Sequence, residues 1–219
     1  MSIYNNKKTL FYKLKKDCSK QWSSYTEHKF LDDLVCDKLP INKFKKYLIQ
    51  DYIFLQNFLK ILSLSSYKSR DFIEMNRSIN FIISIKQELK LHINFCKKWN
   101  LSINKLNKTK ALKNNLAYTN YVLKKGLKGD NLDLFTCLAP CIIGYGEIGL
   151  KLSKVNNWKK SKFKEWIQTY SSKEYQHVAR SNINYLDELK NKHKKFNYKK
   201  LLICFKKSTV LEKKFWDMI

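Results

Sequence analysis

Leu132-Asp-Leu-Phe-Thr-Cys-Leu-Ala-Pro-Cys-Ile-Ile-Gly-Tyr-Gly-Glu-Ile-Gly-Leu-Lys-Leu152 is the stretch that decides the fold. The chain carries 44 Lys and Arg in 219 residues, yet Phe135 to Gly146 holds no charge at all. Such a run must be shielded from water, and it reads as a buried central helix. Leu134, Leu138, Cys141, Tyr145, Ile148 and Leu152 recur at spacings of four and three, which sets a thiol and a phenol one turn apart on one face. That face is a candidate reactive wall. Pro140 lacks an N–H and crowds the preceding turn, so it is predicted to kink or restart the helix. Cys141 would then lie in a first helical turn, where the positive end of the dipole favours thiolate.

Gly144-Tyr-Gly146-Glu-Ile-Gly149 matches the dinucleotide-binding fingerprint letter for letter. Its context does not, because helical periodicity flanks it on both sides where that motif needs a strand before and a parallel sheet around it. Small residues that let neighbouring helices, or a ligand, approach the backbone closely are the better reading.

Outward from this stretch, 219 residues suffice for one domain with a real core, taken here as residues 1–219. Five Gly and two Pro are too few for many tight turns, and long amphipathic segments dominate, so the class is all-α. The net charge of +26 points towards nucleic acid or an anionic surface. It is nearly all lysine, however, and spread over the whole length, which reads as drift at solvated positions rather than a focused footprint. Six cysteines form no Cys-x-x-Cys pair and look like reduced, buried thiols of an intracellular protein. No signal peptide is visible, and the longest apolar run has the length of a buried helix rather than of a membrane span. A soluble, cytoplasmic protein is expected, without a membrane partner.

The first helix is predicted over Lys7 to Ser24, with Leu10, Phe11, Leu14, Cys18 and Trp22 inward. A short element follows from Tyr25, in which His28 reads as a structural hydrogen-bonder. Ile41 to Leu64 is apolar almost all round. Asp71 is predicted to cap a helix to about Trp99 with Phe72, Met75, Ile79, Ile82, Ile83, Leu89, Ile93 and Cys96 inward. Glu88, His92 and Cys96 step by four, which fits a metal site, a Cys–His pair or a satisfied core histidine; the last is preferred, and no metal is expected. Asn100 to Lys110 reads as a polar loop, Ala111 to Lys125 as a helix ended by Gly126, and Ser171-Ser-Lys-Glu174 as a capping box. Lys190 to Lys200 reads as a linker before a last helix, Tyr198 to Ile219.

Two carboxylates sit on apolar stripes. Asp51 lies among Ile41, Phe44, Leu48, Leu55, Phe58 and Leu62, and Glu212 among Leu202, Phe205, Thr209, Trp216 and Ile219. A buried carboxylate is costly unless paired, hydrogen-bonded or neutral, so each is either a helix-bridging ion pair or part of a functional cavity.

With these residues in view, Tyr25-Thr-Glu-His-Lys-Phe30, Tyr47-Leu-Ile-Gln-Asp-Tyr52, Phe95-Cys-Lys-Lys-Trp99, Leu138 to Gly149, Trp166-Ile-Gln-Thr-Tyr170 and Glu212-Lys-Lys-Phe-Trp-Asp-Met218 together resemble the TenA, or thiaminase II, family over nearly the full length. The resemblance implies a haem-oxygenase-like helical bundle without haem or other cofactor, a homotetramer, and an enzyme of thiamin degradation and pyrimidine salvage. Its substrate would be 4-amino-5-aminomethyl-2-methylpyrimidine or thiamin. Carried onto this sequence, the family pattern puts the nucleophile at Cys141, the acid at Glu212, the aminopyrimidine-polarising carboxylate at Asp51 and the packing rings at Phe54 and Phe215. The pocket tyrosines fall at Tyr118, Tyr145 and Tyr170. Lys213 and Lys214 depart from the apolar or mixed residues expected beside Glu212. A regulatory or nucleic-acid-binding protein on the same fold is the alternative, although no specific nucleic-acid partner is expected.

Overall fold

The computed structural model describes residues 3–193 and 195–219, and among them the regular structure is helical, without a strand. The helices are α1 (Leu10–Asp17), α2 (Ser19–Thr26), α3 (Lys29–Val35), α4 (Ile41–Tyr67), α5 (Phe72–Lys98), α6 (Ile103–Lys108), α7 (Lys113–Lys128), α8 (Asn131–Leu152), α9 (Lys164–Ser171), α10 (Lys173–Asn191) and α11 (Tyr198–Asp217). The all-α expectation holds. The backbone groups into two compact units, one of Met1–Leu39 with Phe135–Trp216, the other of Pro40–Leu134 with Asp217–Ile219.

In the first unit the expected single N-terminal helix is two. The chain bends at Cys18 (φ −123°, ψ 31°), whose N–H still reaches Leu14 O and whose carbonyl starts α2. The inward stripe survives the bend, because Leu10, Phe11, Leu14, Cys18 and Trp22 are all buried. Asp187 of α10 accepts from the Leu10 N–H at 2.9 Å, tying α1 to that helix. The cap of α10 lies one residue beyond Ser171: Ser172 Oγ accepts from the Tyr175 N–H at 3.1 Å. The first unit takes α8 from Phe135 onward, and there the three glycines are contact points. A Cβ on Gly144 would strike the Tyr25 ring at 2.6 Å, and one on Gly146 would stand 3.1 Å from Ala179.

The second unit is built on the antiparallel pair α4 and α5. Asp71 caps α5 as expected, accepting from the Glu74 N–H at 2.7 Å. The predicted inward stripe of α5 holds at Cys96, which is buried, and fails at Phe72, Ile79 and Ile83. Phe72, Ile73, Ile79, Ile83 and Leu91 are exposed, whereas Glu74, Ser78, Phe81, Ile85, His92 and Cys96 are buried. Polar partners select that face: Glu74 accepts from Asn131 Nδ2 at 2.7 Å and pairs with Arg70, and His92 bonds a carbonyl of α4. Asn100 to Lys110 is not all loop, since Ser102 caps α6 and Leu101 and Leu106 are buried. Gly126 does not end α7. It sits within the helix under Leu134 and Leu64, and Gly129 is the cap.

Asp130 and Asp133 cap α8 reciprocally, each carboxylate accepting from the other's N–H at 3.0 and 3.3 Å. Pro140 does not restart the helix. The α8 backbone is helical through it, so Cys141 lies in mid-helix, far from any positive helix end. The proline denies the Thr136 carbonyl its ladder donor and costs about 3 kcal/mol in an open helix, which the burial of the apolar residues around it offsets. By length and composition α8 could also cross a membrane, contrary to the expectation that no run is long enough. Within the protein 94% of that apolar window is buried, so the fold itself is its cover.

The tightest approach is at Gly149, where an added Cβ would stand 2.6 Å from the Tyr170 carbonyl oxygen and 2.7 Å from the Ser171 nitrogen. Backbone cannot swing aside as a side-chain tip does. Gly149→Ala is therefore expected to destabilise the protein by about 1–3 kcal/mol in chemical denaturation, while a Gly126→Ala control meets only the movable side-chain tips of Leu134 and Leu64, at 3.0 and 3.4 Å, and costs less.

Candidate active site

Five of the eight predicted site residues belong to the first unit: Cys141, Tyr145, Tyr170, Glu212 and Phe215. Tyr145 follows Cys141 by one turn of α8, as the spacing requires. Its ring lies 4.9 Å from Tyr170 of α9, 5.9 Å from Trp166 and 5.5 Å from Trp216 of α11. Trp216 in turn stacks on Phe30 at 4.8 Å. These rings form a continuous aromatic wall, of which only the tyrosines were assigned to the pocket from the sequence, Trp216 being read there as part of a buried stripe. Glu212 and Phe215 of α11, one turn apart, are both 2% exposed.

Cys141 is distinguished by access. From Asn131 to Gly149 every residue of α8 is buried except Cys141, which is half-buried, while Cys137 one turn earlier is fully enclosed. The helix that must be hidden from water is thus open at one side chain, and that side chain is a thiol.

Asp51, Phe54 and Tyr118 belong to the second unit. Phe54 lies one turn beyond Asp51 on α4, and its ring is 5.0 Å from that of Tyr118 on α7. Asp51 is 4% exposed, and among the described residues no lysine or arginine pairs with it. Its neighbours are the Tyr47 hydroxyl, which donates to Oδ2 at 3.3 Å, and His92 Nδ1, 3.4 Å from the same oxygen. Burial pushes the carboxyl up to about 7, with the Tyr47 hydrogen bond pulling weakly the other way. Burial also pushes the His92 ring down to about 4, against the hydrogen bond of its Nε2 to Leu48 O at 2.8 Å. At neutral pH the pair is not a salt bridge, so the ion-pair reading of Asp51 gives way to a desolvated, protonatable carboxyl.

His92 is the core histidine that the sequence favoured, although its place beside Asp51 was not foreseen; residues 41 positions apart carry no local signal of their pairing. His28 is likewise structural, its Nδ1 accepting from the Phe30 N–H at 3.1 Å. Among the described residues no cluster of three His, Cys, Asp or Glu side chains could hold a metal ion.

The two titrations pull stability in opposite directions. A folded-state pKa above the unfolded 3.8 means that the native state binds the Asp51 proton more tightly, so stability falls as pH rises from about 4 to 7. For His92 the folded value lies below 6.5, and stability rises over about pH 4 to 6.5. Asp51→Asn removes only the first effect. Its unfolding free energy relative to the parent, from chemical denaturation, should climb between pH 4 and 8, reaching an advantage on the order of a few kcal/mol at the alkaline end. A variant destabilised most at pH 8 would restore the ion-pair reading.

A family model described as TENA/THI-4/PQQC family matches residues 15–219, running through both units. The chain is 31% identical to an aminopyrimidine aminohydrolase of Helicobacter pylori, covering 90% of this chain and 92% of that one. It is 30% identical to an aminopyrimidine aminohydrolase of Halalkalibacterium halodurans, covering 90% and 89%. A solved structure from Silicibacter sp. TM1040, described as a TenA family transcription regulator, superposes with a TM-score of 0.89 at 32% identity over 95% of each chain. The helices therefore form the haem-oxygenase-like fold of these relatives, and the chain belongs to the TENA/THI-4/PQQC family.

Proposed function

We propose that this protein is an aminopyrimidine aminohydrolase, or thiaminase II, that replaces the amino group of 4-amino-5-aminomethyl-2-methylpyrimidine, or the thiazolium of thiamin, with water. It would act in the cytoplasm, in thiamin degradation and pyrimidine salvage. The observation that carries the reading is the exposure of Cys141 alone along the buried span of α8. A structural cysteine would be enclosed like Cys137, and a nucleophile has to be reachable. The two relatives named aminopyrimidine aminohydrolase support the same chemistry.

In this reading a carboxyl hydrogen-bonded to the aminopyrimidine makes the ring electrophilic, and Asp51, held near neutrality by burial, has the acidity for that task. The Cys141 thiolate adds to the ring and the leaving group departs from the exocyclic methylene, protonated by Glu212. Water then takes the methylene position and the thiol is released. Tyr145 and Tyr170 in the first unit, and Phe54 and Tyr118 in the second, supply stacking faces and hydroxyls. Phe215 packs beside the acid.

Cys141→Ser is expected to abolish turnover, seen as loss of ammonia release from the aminomethyl pyrimidine, with circular dichroism unchanged. Cys137→Ser should retain it. Equal loss in both variants, each folded, would remove Cys141 from the role.

We further propose that the chain assembles as a homotetramer. Phe72 and Ile73 of α5 are 75% and 77% exposed, and Ile83 and Leu91 continue the apolar face of a helix whose opposite side is already packed. Sedimentation should show a tetramer, and Ile73→Asp should shift it to smaller species. A wild-type monomer at micromolar concentration would refute this assembly.

A further inference from the structure

The His92 ring has two nitrogens with different obligations. Nε2 lies 2.8 Å from Leu48 O, and a backbone carbonyl only accepts, so Nε2 carries a proton. A neutral imidazole has one N–H, which leaves Nδ1 as a lone-pair acceptor. That acceptor faces Asp51 Oδ2 at 3.4 Å. Two acceptors confronting each other in a buried space repel, and the contact becomes attractive when Oδ2 bears the proton. Both contacts of the carboxyl gather on Oδ2, and among the described residues Oδ1 has none.

We propose that His92 is a positioning residue: Asp51 Oδ2–H donates to His92 Nδ1, which fixes the carboxyl and leaves Oδ1 to accept from the amino group of a bound aminopyrimidine. The ligand named here rests on the function proposed above, whereas the arrangement of protons does not. The pair holds one mobile proton and stays neutral whichever partner has it. When a ligand's ring nitrogen competes for that proton, Oδ2 can give it to the ring instead of to His92 Nδ1, leaving a carboxylate beside the protonated, electrophilic ring and the imidazole neutral. Tyr47 of α4 and Cys96 of α5 are the other titratable groups facing the carboxyl, and burial, then the Asp51 charge, holds the Cys96 thiol up at about 12. From α7, Tyr118 meets the next turn of α4 at Phe54, and from α6 the uncharged Asn107 accepts from Tyr52.

Two measurements test the pair. Nitrogen-15 spectra of the histidine rings, assigned with a His92 variant, should show His92 at pH 7 as the neutral Nε2–H tautomer that gains its second proton only below about pH 5, in keeping with a ring held down near 4. An Nδ1–H tautomer, or an imidazolium at pH 7, overturns the proposal. Substitution separates positioning from anchoring, because an asparagine amide can occupy the Nδ1 position and a glutamine amide the Nε2 position. His92→Gln should keep the melting temperature, by retaining a donor for Leu48 O, and lose kcat/KM about tenfold to a hundredfold with a shifted pH profile. His92→Asn should keep most of the activity at a lower melting temperature. Full activity in His92→Gln would reduce the residue to an anchor. If the unmodified protein hydrolyses no aminopyrimidine, the proposed function falls while the tautomer measurement still decides the pair.

Discussion

The structure depends on keeping water away from one uncharged helix in a chain with a net charge of +26. Along α8 the backbone is satisfied within the helix except at Pro140, which leaves the Thr136 carbonyl without its ladder donor, so the cover can be close and largely apolar. Within the first unit that cover is Tyr25 over Gly144, Ala179 beside Gly146 and the Tyr170–Ser171 backbone over Gly149. Each glycine removes a Cβ where the neighbour is nearest. The Tyr25 hydroxyl also donates to the Pro140 carbonyl at 3.3 Å, so the segment that crowds the helix supplies a polar contact at its proline. The opening at Cys141 stands out because the rest of that span is sealed so thoroughly.

The buried acids sort by partner. Glu147 has Lys15 at 2.8 Å, and Glu74 has Arg70 and Asn131. Both are carboxylates brought inside together with the charge or donors that make burial tolerable. Asp51 is treated differently. Lysine is the most abundant cation in the chain, yet the groups against this carboxyl are a phenol, a neutral imidazole and a thiol. Burial without a cation raises the acid towards neutrality, against the Tyr47 hydrogen bond, and there it can exchange a proton, whereas a nearby ammonium would have lowered it.

What the sequence revealed and what it hid follow from one physical distinction. Period is set by the helix, and every long helix was legible from it. Phase is set by whatever the helix packs against, and hydrophobicity alone misjudges it where the partner is polar. On α5 the buried side presents Glu74 to Asn131 of α8 and His92 to the Leu48 carbonyl of α4, so Phe72, Ile79 and Ile83, apolar residues expected inward, face out. The bend at Cys18 left the stripe intact and gave no compositional sign. Pro140 shows the converse error: a strong local rule against helix continuation yields to burial on both sides. The candidate site was more legible than these boundaries. An acid on an apolar stripe, or a thiol and a phenol one turn apart, can be seen without knowing the neighbours. The pairing of Asp51 with His92 could not, because it joins two helices whose mutual register only the folded chain fixes.

Fold alone does not choose among activities, since relatives described as aminohydrolases and as a transcription regulator share it. Individual residues discriminate better. A scaffold kept only for stability gains nothing from Asp51 at its position on α4, because an apolar side chain of similar size would avoid the desolvation that drives its acidity up. Nor does such a scaffold need a reachable sulfur at the single gap between Asn131 and Gly149 of α8, which a larger apolar residue would close. Both positions sacrifice stability within their own unit, and both hold side chains suited to polarising or attacking an electron-deficient ring. Cost without structural return, at two positions whose chemistry is complementary, argues for catalysis more strongly than the resemblance of one helical bundle to another.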